Sequence, residues 1–97
     1  MPHRTVLTGP GPQRLARMMG VLRRGRTDAL VLETDGRETP VIVLAPHALM
    51  DANTLLADAN GPAVVWEGDR VELVGGLAPE DDPRFPAFLA ATVSVIS

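Results

Sequence analysis

The sequence predicts a mainly β protein, a single barrel of short strands carrying one helix. Three observations carry that expectation. Apolar and polar residues alternate with a period of two through residues 28–34 and 70–74, as expected of strands with one face in a core. The pairs Asp35-Gly36 and Gly68-Asp69 stand beside those runs and supply tight-turn chemistry. Residues 47–59 change to helical spacing and are the chain's best helix.

A chain of 97 residues that is 45% apolar fits one domain with one core. Residues 1–13 hold three of the nine prolines and two glycines, which discourages regular structure and reads as a flexible N-terminal arm. The run 4–8 within it has the composition of an edge strand. Residues 14–97 form the barrel domain. Residues 14–26 admit two readings. Leu15, Met18, Met19 and Leu22 fit a basic amphipathic helix. Gly20 in mid-segment favours a sharply bent barrel strand, because glycine in a helix interior costs about 1 kcal/mol against alanine.

The second strand follows, with Leu30, Leu32 and Thr34 on one face and Val31 and Glu33 on the other. Asp35-Gly36 then reverses the chain into a third strand over 38–45, rich in β-branched residues. In residues 47–59, Leu49, Ala52, Leu55, Leu56 and Ala59 fall on one helical face, and Asn60-Gly61-Pro62 reads as the stop. Residues 63–66 are a short apolar run. Val71 and Leu73 then face away from Glu72 and Val74, and Gly75-Gly76 permits a bend or bulge. Residues 79–86 are loop by composition, and 92–96 form a last strand with Val93 and Val95 on one face. Leu32, Ile42 and Leu73 are the expected core positions.

The resulting order is β-β-β-α-β-β, with "GVLRR", "ALVLETDG", "TPVIVLAP", "ALMDANTLLADAN", "EGDRVELVGGL" and "ATVSVIS" as its elements. This resembles the five-stranded oligonucleotide/oligosaccharide-binding (OB) barrel, whose helix lies between the third and fourth strands. The segment "EGDRVELVGGL" is similar to the Gly-Asp-Arg-Val turn and strand of many OB domains, and the likeness spans about 80 residues. The resemblance implies ligand binding across the second and third strands and adjoining loops. Single-strand binders stack bases on aromatic side chains. Here only Trp66, Phe85 and Phe88 are aromatic, and none lies in those two strands.

Charge is unevenly spread. Residues 1–27 carry six arginines and no acid, while residues 28–97 carry all 12 acids against Arg37, Arg70 and Arg84. Arg14, Arg17, Arg23, Arg24 and Arg26 are therefore candidate contacts for an anionic partner, with Trp66 as a candidate platform. The plainer alternatives are arginines paired with the chain's own acids and aromatics that fill the core. His47 and Asp51 would share a helix face, but two ligands make a poor metal site. Glu80, Asp81 and Asp82 lack the alternation of a calcium loop, and residues 9–12 lack the Gly-Lys-Ser/Thr of a phosphate loop.

Catalysis is not expected. Cysteine, lysine and tyrosine are absent, and no Gly-x-Ser-x-Gly elbow occurs. No cofactor and no metal are expected either. The absence of any apolar run long enough to cross a bilayer or serve as a secretory signal leads to the expectation of a cytoplasmic protein without a membrane partner. The expected function is that of a non-catalytic binding module for a protein partner or a second copy of itself. Single-stranded nucleic acid, bound through the arginine-rich first strand, is the alternative.

Overall fold

A computed structural model describes residues 6–9, 16–25, 29–48, 54–58 and 64–96. Its strands are β1 (Val6–Thr8), β2 (Ala16–Arg24), β3 (Leu30–Thr34), β4 (Arg37–Val43), β5 (His47–Ala48), β6 (Thr54–Asp58), β7 (Val64–Trp66), β8 (Arg70–Leu77) and β9 (Phe88–Val95). Five of them, in the order β9-β4-β3-β2-β8, close into a barrel because β8 also pairs with β9. All barrel pairings are antiparallel except β4 with β9. Beyond β4, the same edge of β9 continues into β1, whose Leu7 is buried against Val93.

The strand reading of the first basic segment holds, and Gly20 shows why. β2 pairs with β8 from Ala16 to Val21 and with β3 from Val21 to Arg24, so it changes neighbours at a bend. A Cβ at Gly20 would run into the Glu33 carbonyl oxygen and Thr34 Oγ1. Thr34 Oγ1 itself donates to the Met19 carbonyl oxygen at 2.8 Å, tying the bend to the next strand. The β3–β4 turn is the two-residue type expected, with φ of 50° at Asp35 and 79° at Gly36. The register between β8 and β9 shifts between Val74 and Gly75, the bulge expected at the glycine pair.

Inward-facing Leu22, Leu30, Leu32, Val41, Leu73 and Val93 form the core. Leu32 and Leu73 are fully buried, as expected. Ile42 is not a core residue: it is half-buried on the outward face, since alternation from buried Val41 and Val43 turns it away.

The expected helix is the main correction. No helix occurs among the described residues; residues 47–48 and 54–58 are strands, and with β7 they form a three-stranded sheet in the order β5-β6-β7. Residues 49–53 and the expected stop at Asn60, Gly61 and Pro62 lie outside the described residues. Leu55, Leu56 and Val65 are fully buried and join the barrel core, so the small sheet covers the end where β2 and β4 finish and β3 begins. Its β6–β7 register shifts between Thr54 and Leu56, which lets adjacent leucines both reach the core. Adjacent buried positions are what helical spacing also produces, and Asp51, Asn53 and Thr54 have modest helix propensity.

Candidate interaction surface

Strand alternation divides the arginines of β2. Arg17 and Arg23 stand on the outward face with Met19 and Val21, roughly 20 Å apart by strand rise. Arg24 falls on the other face, at the barrel end. Arg17 Nε lies 3.7 Å from Glu72 Oε1 across the β2–β8 pair. Arg23 Nε lies 3.1 Å from Glu33 Oε2 across β2–β3. Arg24 Nη2 donates to the Thr54 carbonyl oxygen at 3.4 Å and so bridges the barrel to the small sheet. Arg14 and Arg26 lie outside the described residues.

The three aromatics also separate. Phe88 is buried in the core, whereas Trp66 is 52% and Phe85 40% exposed, so core filling accounts for one of the three. Trp66 and Phe85 flank opposite ends of β8, a strand about 23 Å long by its rise, and are not brought together. The Trp66 turn is held firmly. Trp66 N–H donates to Asp69 Oδ2 at 2.9 Å, Gly68 N–H to the Leu22 carbonyl at 3.3 Å, and Arg24 N–H to Glu67 Oε2 at 3.3 Å. These bonds set the exposed indole's turn beside the end of the arginine-bearing strand.

The outward face of β3 and β4 is formed by Val31, Glu33, Glu38, Pro40 and Ile42, without an aromatic ring. Next to it, across the bend of β2, lies an open groove of about 510 Å³. Met19 and Val21 form its floor, Glu33 and Asp35 one side, and Arg70 and Ile96 the other. The groove was not among the sites expected from sequence. Its one readable signal is that the strand reading turns Met19 outward, where it is 51% exposed.

The loop between β8 and β9 holds a local ion pair. Asp82 Oδ1 accepts from Arg84 N–H at 2.8 Å and from Nε at 3.0 Å, and Oδ2 accepts from Nη2 at 2.8 Å. The side-chain bond to Arg84, reinforced by the backbone bond, lowers the Asp82 carboxyl to a pKa of about 2. Glu80 and Asp81 remain exposed beside it. His47 Nδ1–H donates to the Ala45 carbonyl at 2.8 Å, on a strand rather than a helix, and Asp51 is outside the described residues. Among the described residues no three His, Cys, Asp or Glu side chains cluster to hold a metal ion. None forms a helix long and apolar enough to cross a membrane.

No protein-family model, curated protein or solved structure matches the chain.

Proposed function

We propose that the chain is an OB-like, non-catalytic binding module whose partner is a protein, a second copy of itself included. The OB-like part of the reading is supported by the five-strand closure and by the segment between the third and fourth barrel strands covering one end, where an OB helix is expected. A three-stranded sheet performs that covering here. The observation that carries the choice of partner is the state of the basic strand. Among the described residues of this strand, Arg17 and Arg23 already face Glu72 and Glu33, and Arg24 is turned to the Thr54 carbonyl at the barrel end, so these three offer little to a phosphate chain. The acidic and apolar face of β3–β4 likewise suits a protein better than a polyanion.

One observation favours the second reading, single-stranded nucleic acid. The exposed Trp66 is hydrogen-bonded through its turn to the end of the arginine-bearing strand, and base stacking on such a ring is worth roughly 1–3 kcal/mol. Titrating Trp66 fluorescence with short single-stranded DNA and RNA at low and moderate salt, beside sedimentation of the free protein, separates the two. Silence of the indole together with self-association supports the proposal. Quenching that fades steeply with salt replaces it with the nucleic-acid reading.

A further inference from the structure

The groove across the bend of β2 has the charge arrangement of a surface that fits itself. Its floor is apolar, with Met19 half-exposed at the centre. Asp35 stands on one side at the tip of the β3–β4 hairpin, and Arg70 stands on the other, paired with Val21 across the β2–β8 ladder. Arg17, Arg23 and Arg84 each have a carboxylate within 4 Å, whereas Arg70 and Asp35 have no ion-pair partner among the described residues. Two opposite, uncompensated charges thus flank an exposed thioether.

We infer that this groove is a two-fold interface between two copies of the chain, in which Asp35 of each meets Arg70 of the other across a Met19–Met19 contact. The inference rests on the protein-binding reading and specifies its surface. A two-fold axis through the groove floor exchanges its sides, so each copy's acidic hairpin tip faces the other's basic side. A heterologous partner would need no such mirrored charges on one face. A polyanion would meet Glu33 and Asp35 directly. The small apolar floor sets the expected strength: a weak, salt-sensitive dimer, whose specificity comes from the paired charges.

Sedimentation velocity on the full chain tests this with Arg70→Glu, Asp35→Lys and an equimolar mixture of the two. Each variant alone places like charges opposite each other twice and should weaken dimerisation by about tenfold or more. In the mixture, Glu at 70 meets Lys at 35 and the native pair survives on the other side of the axis, so dimers return. That rescue also controls for folding, because a misfolded variant would not be restored by mixing. Asp35→Asn, which keeps a residue tolerant of the left-handed turn, should weaken the dimer less than Asp35→Lys. A wild-type dimer that both charge reversals leave intact, or a mixture as monomeric as its components, overturns the interface while leaving self-association standing. A wild-type chain that stays monomeric at all concentrations overturns the interface and removes self-association from the functional reading as well.

Discussion

The barrel wall and the small sheet at its end bury leucines and valines in one shared core, yet they are held there by different means. The wall is built from long ladders: β8 and β9 are eight residues each and pair along nearly their whole length. The end sheet has strands of two, five and three residues with a shifted register. Long backbone pairing, interrupted by one bulge at Gly75, fixes the wall and makes it intolerant of anything that separates its strands. The end sheet depends more on the side chains it delivers, namely Leu55, Leu56 and Val65. The comparison teaches that burial alone does not report how a segment is secured.

The sharpest way to break the wall is to add one methyl group where two strands touch. A Cβ at Gly75 would overlap the Leu89 carbonyl oxygen, a backbone atom of the paired strand with no rotamer to move away. Gly75→Ala should therefore cost about 4 kcal/mol or more, the range reserved for severe strain and overpacking. Against a total stability of about 5–10 kcal/mol for a domain of this size, that loss leaves the barrel only marginally stable. Urea denaturation followed by Trp66 fluorescence reads this directly. A Gly75→Ala barrel with wild-type stability would show that the β8–β9 bulge can relax.

The same contrast explains what was legible in the sequence. The wall strands could be read because period-two alternation survives in them: Leu30 and Leu32, or Val71 and Leu73, are buried while their neighbours are not. Gly20 and Gly75-Gly76 marked the bend and bulge because a missing side chain is a local property of the sequence. The end sheet could not be read, because its register shift buries two consecutive leucines and imitates a helix. At the candidate surface, the arginine cluster was visible but its meaning was not. Adjacent Arg23 and Arg24 diverge on a strand, and the acids opposite Arg17 and Arg23 are set by a cross-strand register that depends on the Gly20 bend. The groove was hidden for the same reason, since Asp35 and Arg70 are far apart in sequence and are brought to one groove only because β2 pairs with both β3 and β8.

A matched pair of truncations sharpens the comparison at intermediate cost. Leu56→Ala and Leu73→Ala each remove a fully buried side chain and should each cost about 2–5 kcal/mol. They should differ in where the loss appears. Amide exchange in wild-type protein is expected to be faster in β6 and β7 than in β8 and β9, because short ladders open below the global free energy. Leu56→Ala should widen that gap by loosening the end sheet, whereas Leu73→Ala should speed exchange in wall and end sheet alike. Equal protection of β6 and β8 in the wild type would mean that the two regions open as one unit.

The smallest effect concerns the loop that joins wall strands β8 and β9. Asp82 is half-buried and its partner Arg84 is exposed on a surface loop, so the three bonds between them order the loop and contribute little to global stability. Its carboxyl has a pKa of about 2 in the folded chain against an ordinary value of 3.8. A depressed pKa means that the folded form binds the proton less readily than the unfolded form. The stabilisation is therefore complete above about pH 4 and is lost as the pH falls through about 2. Comparing the wild type with Asp82→Asn by thermal denaturation should show a small deficit in the variant at pH 6 that disappears near pH 2. An NMR titration of the Asp82 carboxyl should give its midpoint near 2. A midpoint close to 4 would show that the pair does not persist in solution, leaving the loop to its backbone bonds, among them Ala78 N–H to the Ala87 carbonyl at 2.9 Å.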